Sequence, residues 1–166
     1  GKPISKELKQ TVKETVKGST NTNYGIKNEN KGVAEYTNKT GVQVYEYPKF
    51  VKMPLFNDEA INISVIIGVR VDGVNLDASG NITKVVEVKN RTARLFYNLR
   101  DYEKVQTLIY MKLFNLDKLD LIEVLKKGDT LESNIINIDF DNEFWEEQIL
   151  NRIKIYIADF MKTYIL

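Results

Sequence analysis

The sequence predicts one α/β (α+β) domain with a central mixed β-sheet flanked by helices. Two apolar segments in the middle of the chain alternate as strands around a tight turn, and a helix follows them. A second pair of strand patterns and a long amphipathic helix complete the order. The length of 166 residues is that of one ordinary domain. We divide it into an N-terminal helix or extension (1–20), a central core (24–140) and a C-terminal helix (141–166).

The N-terminal part of the chain predicts two helices and one strand. Residues 5–18 place apolar side chains at i, i+4 and i+8, which indicates a helix with a thin buried stripe. A second helix is predicted over 26–38. The alternation over 42–47 predicts a strand, and Pro48 and Pro54 then bracket a loop.

The middle of the chain predicts a β-hairpin and a helix. Residues 61–74 and 82–89 both alternate as strands, and the turn at 77–81 joins them. Residues 101–115 follow as a helix, because their apolar side chains recur at helical spacing.

The C-terminal part predicts two more strands and a capped helix. The strands cover 119–124 and 135–140, separated by the turn at 127–129. The helix begins near Asp141, a plausible N-cap, and continues to the end of the chain. Its predicted buried stripe consists of Trp145, Ile149, Ile153, Tyr156 and Phe160.

Composition excludes several kinds of site. The chain has no cysteine and no histidine, so disulfides, zinc–thiolate sites, iron–sulfur clusters and histidine bases are ruled out. The missing cysteine favours an intracellular, reducing location. Apolar runs are too short to span a membrane, and the net charge of +1 indicates nothing about nucleic acid.

One carboxylate–ammonium pair lies on a strand that otherwise looks buried. Strand residues alternate faces, so Glu87 and Lys89 point the same way, and the hairpin can bring Asp72 next to Glu87. Two close carboxylates repel each other unless a cation lies between them, and oxygen ligands favour Mg²⁺ or Mn²⁺. Such an ion with a neighbouring lysine suits phosphodiester hydrolysis. For an isolated Glu-x-Lys pattern, a solvated ion pair is the more common explanation.

Two predicted helices offer further polar residues. Gln106 and Tyr110 are i, i+4 neighbours on one helix face, which is either an exposed polar face or one directed at Lys89. Glu29 shares a stripe with Val33 and Tyr36, so it lies either at a solvated helix start or aimed at a site.

Taken together, these residues resemble the PD-(D/E)XK nuclease superfamily, and more narrowly its lambda exonuclease/YqaJ-like and RecB-type nuclease domains. Four segments match in the family's order. Residues 24–29 and 34–41 look like the G-x-x-x-E helix and its continuation. Residues 68–73 look like the strand with the first metal-binding aspartate, residues 86–89 like the (D/E)-x-K strand, and residues 102–111 like the Q-x-x-x-Y helix.

The resemblance implies a restriction-endonuclease-like core with αβββαβ order and cleavage of DNA that depends on one or two Mg²⁺ or Mn²⁺ ions. The implied pathways are DNA end processing, recombination or repair. The implied metal ligands are Glu29, Asp72, Glu87 and the carbonyl of Val88.

The remaining implied roles belong to a lysine, its supports and basic residues around them. Lys89 would orient water and stabilise the transition state, Gln106 would hold Lys89, and Tyr110 would support the site. Basic residues near the site are candidates for phosphate contacts, although plain surface charge is the more common explanation for each. They are Arg70, Arg91, Arg94 and Arg100.

Some features depart from that family. The interval from Asp72 to Glu87 is long, so the hairpin over 75–84 should protrude, and Asp77 is an alternative acid closer to the turn. No arginine-plus-serine pocket for a 5′-phosphate is evident. An exonuclease is favoured, a structure-selective or nicking endonuclease is the alternative, and a non-catalytic nucleic-acid-binding module is a third hypothesis. No sequence feature indicates an oligomer interface.

Overall fold

The computed structural model of the chain describes residues 29–59 and 63–164. The first six elements along the chain are α1 (29–40), β1 (Val51–Asp58), β2 (Ile63–Val69), β3 (Gly73–Leu76), β4 (Ile82–Arg91) and α2 (Asp101–Phe114). They are followed by β5 (Lys118–Lys127), β6 (Thr130–Asp139), α3 (Asn142–Phe144), a π-helical turn (Trp145–Leu150) and α4 (Asn151–Tyr164). The helix predicted over 5–18 lies outside the described residues. No helix within the described ranges is long and apolar enough to cross a bilayer.

A four-stranded sheet with the order β3-β4-β5-β6 forms the centre of the fold. The pairs β3–β4 and β5–β6 are antiparallel, whereas β4 and β5 are parallel. A parallel pair needs a crossover connection, and α2 provides it. The mixed sheet with flanking helices confirms the predicted fold class.

Strand alternation divides the sheet into two apolar faces. One face packs against α2 and the π-helical turn, where Leu108 and Trp145 are buried against Val85 and other strand residues. The opposite face buries Tyr36 of α1 against Val86 and its neighbours. Neighbouring residues of β4 therefore face different helices, and Glu87 and Lys89 belong to the α2 side.

The single strand predicted over 61–74 was wrong. The chain leaves its strand at 70–72, so β2 pairs with β1 in a separate two-stranded sheet while β3 joins the main sheet. Gly73 is needed at this break, because a Cβ there would lie 2.3 Å from the Val44 side chain. Asp72 consequently sits just ahead of β3, beside the edge of β4.

The predictions for 42–54 were also wrong. Residues 42–47 make only an isolated bridge, in which Tyr45 and Val74 exchange two hydrogen bonds of 2.9 Å. The expected loop between the prolines instead leads into β1. Pro54 is tolerated there because the β1–β2 register shifts between Pro54 and Phe56, a bulge at which a missing N–H matters little.

The C-terminal helix begins as predicted but changes its buried face. Asp141 accepts a hydrogen bond of 2.9 Å from the backbone N–H of Phe144, so the N-cap is confirmed. Beyond the π-helical turn, Tyr156 and Phe160 are 69% and 45% exposed, and Ile157 is buried instead. The wider i→i+5 turn shifts the stripe by one residue, which the 3.6-residue pattern could not anticipate.

Candidate active site

Alternate side chains of β4 face a row of polar side chains on α2. Two residues along a strand advance about 6.7 Å and one helical turn advances about 5.4 Å, so two such rows can stay in step. The facing pairs, in order, are Glu87 with Tyr110, Lys89 with Gln106, and Arg91 with Glu103. The two elements run in opposite directions, and the acidic end of this row meets Asp72.

The ammonium of Lys89 is held from two sides. Its Nζ donates to Oε1 of Glu87 at 2.7 Å and to Oε1 of Gln106 at 2.8 Å. The Gln106 amide nitrogen donates to the Tyr110 hydroxyl at 2.6 Å. Since an amide has one donor end and one acceptor end, that bond to Tyr110 keeps the Gln106 oxygen facing Lys89.

The side chain of Asp72 takes the place of a strand partner at the edge of β4. Its Oδ2 accepts a hydrogen bond of 2.8 Å from the backbone N–H of Val88, which has no β3 partner because β3 begins at Gly73. The same placement brings the carboxyl group of Asp72 against that of Glu87. The structure thus brings together two acids that are 15 positions apart in the sequence.

Burial and mutual repulsion dominate the electrostatics of this pair. Burial, and then the charge of Asp72, raise the pKa of Glu87 to about 8, although Lys89 opposes the shift. Burial also raises the pKa of Asp72, and the Val88 N–H offsets part of that rise. Among the described residues, Oε2 of Glu87 is the one buried side-chain polar atom without a hydrogen-bond partner. Two carboxyl groups in this arrangement require a shared proton or a cation.

Glu29 reaches the same cleft from α1. A cavity of about 270 Å³ is lined by Glu29, Asp72, Glu87, Val88, Lys89 and Asn90. Burial, followed by the charge of Asp72, raises the pKa of Glu29. Within the described ranges, however, no three acidic side chains are close enough to enclose an ion. Asp72 and Glu87 form a pair, Glu29 lies at the rim of the same cavity, and its role as a third metal ligand stays a prediction.

The donors in the cleft fit a hard divalent cation. The N–H and C=O of one strand residue point to the same edge, so the Val88 carbonyl faces the side on which Asp72 lies. Two carboxylates and a carbonyl are oxygen ligands of the kind that Mg²⁺ and Mn²⁺ prefer. Such an ion would give the buried Oε2 of Glu87 the partner that it lacks among the described residues.

Arg91 does not take the phosphate-contacting position that the sequence suggested. Its Nη1 and Nη2 donate to Glu103 at 2.6 and 3.1 Å, and its Nε donates to Glu123 at 2.7 Å. The side chain is only 6% exposed, so no phosphate can reach the guanidinium. Glu103 is fully buried by the same interaction.

The other basic candidates remain at the surface. Arg70 is exposed, and its charge lowers the pKa of Glu29 and Asp72 against the larger effect of burial. Arg94 and Arg100 are exposed in the segment between β4 and α2. Asp77 is engaged in its own turn, where Oδ1 accepts from the N–H of Ser79 and of Asn81 at 2.8 Å, so it is not part of the cleft.

The sequence did not identify Glu103 and Glu123 as supports of the site. A signal existed for Glu103, since it lies one turn before Gln106 on the face directed at β4. None existed for Glu123, because its relation to Arg91 depends on the parallel pairing of β4 with β5. Sequence alone does not say which strands become neighbours.

Residues 3–112 match the family model described as the YqaJ-like viral recombinase domain. The fold is similar to that of an alkaline exonuclease from Laribacter hongkongensis, with 14% identity, a TM-score of 0.61, and coverage of 95% of this chain and 81% of that one. It is also similar to a phage-related exonuclease from Haemophilus somnus 129PT, with 16% identity, a TM-score of 0.51, and coverage of 88% and 82%. No curated protein sequence matches the chain. At these identities the two structures show a shared fold.

Proposed function

Because the chain belongs to the family of YqaJ-like viral recombinase domains, we propose that it is a nuclease that hydrolyses DNA phosphodiester bonds during recombination, using one or two Mg²⁺ or Mn²⁺ ions. The names of the two similar structures describe exonucleases, which supports removal of nucleotides from DNA ends over internal cleavage. The observation that carries the proposal is the contact between the half-buried carboxyl group of Asp72 and the buried one of Glu87, with Lys89 alongside.

In this proposal the cation is held by Asp72, Glu87 and the Val88 carbonyl. When bound, it polarises a phosphoryl oxygen and lowers the pKa of a coordinated water molecule. Lys89 places its ammonium next to the same oxygens and stabilises the negative charge that develops in the transition state. Glu29 at the rim adds negative charge that favours the cation.

Gln106 and Tyr110 fix the position of the Lys89 ammonium. Gln106 accepts from the ammonium and is itself fixed by Tyr110, so Lys89 has few alternative positions. A charged group that is already positioned needs little reorganisation when the reaction occurs. Arg70, exposed beside Glu29 and Asp72, is suited to contact a DNA phosphate at the cleft entrance.

Cleavage of linear and closed-circular duplex DNA, with EDTA, Mg²⁺ or Mn²⁺, tests the proposal. We expect metal-dependent loss of the linear DNA with the circle left intact, as exonuclease action requires. Conversion of the circle to nicked or linear forms would instead assign an endonuclease. Failure of the purified chain to cleave either DNA with either metal would contradict the proposed function.

Lys89→Ala and Glu87→Gln should each abolish this cleavage while the protein remains folded. Lys84→Ala is a matched control, because Lys84 also lies on β4 and forms an ion pair, with Asp120 at 2.8 Å, but on the opposite face of the sheet. Its activity should stay close to that of the unmodified protein. Equal activity of Lys89→Ala and Lys84→Ala would argue against the role given to Lys89.

A further inference from the structure

The segment that joins β4 to α2 carries a stack of aromatic rings and guanidinium groups. Cζ of Arg100 lies 5.0 Å from the ring centres of both Phe96 and Tyr102. Cζ of Arg94 lies 5.2 Å from the ring centre of Phe96. These separations are within the range of favourable cation–π contacts, so rings and charges hold one another in place. We refer to residues 94–102 as the arginine–aromatic segment.

The outer side of this segment is open to solvent. Tyr97 is 68% exposed and Tyr102 is 53% exposed. Arg94 and Arg100 are also exposed, and neither forms a salt bridge with a carboxylate in the part of the chain that the structure describes. The segment therefore presents two aromatic faces and two guanidinium groups that form no ion pair within the described residues.

Tyr97 is held in this exposed position against its conformational preference. Its φ of 63° lies in the left-handed region, which bulky residues rarely adopt. The buried carboxylate of Glu123 accepts hydrogen bonds from the N–H of Phe96 at 3.0 Å and of Tyr97 at 2.8 Å, which fixes the backbone there. The ring gains little burial in return, and strain of this kind concentrates at binding sites.

Arg91 connects the arginine–aromatic segment to the proposed catalytic lysine. Arg91 lies two residues beyond Lys89 on the same strand face, about 7 Å along the chain, and its guanidinium stacks on the Phe96 ring at 4.8 Å. At the other end, Tyr102 lies one helical turn before Gln106. DNA that extends from the cleft along this side of β4 would meet this surface.

We propose that the arginine–aromatic segment binds single-stranded DNA next to the scissile phosphate, with a base stacked on Tyr97 and phosphates contacting Arg94 and Arg100. This inference rests on the proposed nuclease function. Bases in a duplex are stacked inside the helix, whereas unpaired bases offer their faces to aromatic side chains. The two cations match the charge of the DNA backbone, which the acidic pair in the cleft repels.

Binding of a fluorescein-labelled oligodeoxythymidine 12-mer, followed by fluorescence anisotropy in EDTA, tests the stacking role without cleavage. Tyr97→Gly should weaken binding by about tenfold, the effect of losing one stacked base. Tyr97→Phe keeps the ring and should bind like the unmodified protein. Glycine accepts the left-handed backbone, so the variant should unfold at no lower a temperature. Tyr156→Ala on α4 is the matched control, because Tyr156 is equally exposed at 69%.

The two arginines are tested by the salt dependence of the same binding. Arg94→Ala and Arg100→Ala should each reduce the slope of log K against log salt by about 0.7, the value for one phosphate contact on a single strand. Arg152→Ala, an exposed arginine of α4, should leave the slope unchanged.

The outcomes separate this inference from the function on which it rests. Absence of oligonucleotide binding, or equal binding by Tyr97→Gly and the unmodified protein, would overturn the stacking role even if DNA is cleaved. If Tyr97→Gly lost affinity for a blunt duplex by the same factor as for the single-stranded 12-mer, the preference for single strands would be overturned. If binding depended on the Tyr97 ring but the protein cleaved no DNA, the single-strand binding role of the segment would be supported and the proposed nuclease function rejected.

Discussion

The side chain of Lys89 is restricted to few conformations by its hydrogen-bond partners. One carboxylate and one amide oxygen lie within hydrogen-bond distance of its Nζ, and the amide is oriented by a tyrosine. A lysine on an open strand face would sample many rotamers, and ordering it would cost conformational entropy. In this site the cost is met when the protein folds, before substrate arrives.

Gln106→Ala should therefore impair turnover more than substrate binding. We expect kcat to fall by about 10–100-fold, as for other residues that orient a catalytic group, with KM nearly unchanged. Steady-state cleavage of linear duplex DNA measures both constants. Tyr110→Phe, which leaves Gln106 in place but removes its fixed partner, should cause a smaller fall in kcat. A rise in KM at constant kcat would instead assign Gln106 to DNA binding.

The neighbours of Lys89 were accessible from sequence because each depends on local geometry. Strand alternation places Glu87 beside Lys89, a hairpin returns Asp72, and helical spacing aligns Gln106 with Tyr110. The burial of Arg91 could not be anticipated in the same way. It requires two acids from different elements, and only the assembled sheet brings them together.

The link between β4 and α2 depends on a buried ion network. Burial alone would raise the pKa of Glu103 and Glu123, but hydrogen bonds outweigh it and hold both pKa values below the usual 4.5. Those bonds come from Arg91 and backbone N–H to Glu103, and from backbone N–H and Arg91 to Glu123. The unfolded chain then binds more protons than the folded one as the pH falls, so the network stabilises fully above about pH 4.5 and loses its contribution below it.

Arg91→Met should reverse that dependence. Two buried carboxylates would lose their cation, which costs roughly 3–5 kcal/mol near neutral pH, and the variant should gain stability as they protonate at lower pH. Urea unfolding between pH 4 and pH 7 measures the effect. Lys127→Met, which removes the exposed Lys127–Glu132 pair, should change the free energy of unfolding by less than about 1 kcal/mol. Similar losses in both variants would contradict the network.

Elements with strong local signals were predicted and those that depend on pairing were not. The turn at 77–81 and the strand that follows it formed as predicted, because Asp77 and Gly80 give the turn a definite geometry, whereas the strand before the turn is the short β3 and not the predicted 61–74. β1 was missed since Pro54 argues against a strand unless a bulge accommodates it. The π-helical turn has no periodic signature, so the buried stripe beyond it was assigned one residue out of step.

For the molecule as a whole, the strand that carries Glu87 and Lys89 belongs to the main sheet and not to the two-stranded one. β4 is paired on both sides and buried on both faces, whereas β1 and β2 pair only with each other. A two-stranded unit has little independent stability. The order of strands, with a parallel pair at the centre, could not be deduced from the sequence because it follows from contacts distant along the chain.

Native-state hydrogen exchange should reveal this division. Amides of β4 and β5 should exchange only through global unfolding, and those of β1 and β2 through a smaller opening of lower free energy. The exchange rates of individual amides at low denaturant, measured by NMR, distinguish the two classes. Equal protection of β2 and β5 would indicate one cooperative unit.

We propose that Asp72 and Glu87 together bind a divalent cation, and calorimetric titration with Mn²⁺ measures that binding. The unmodified protein should bind at least one ion, and Asp72→Asn and Glu87→Gln should each weaken that binding at least about tenfold, or about 1.4 kcal/mol. Glu29→Gln at the rim should have a smaller effect. Unchanged Mn²⁺ affinity in Glu87→Gln, or no binding by the unmodified protein, would contradict the claim.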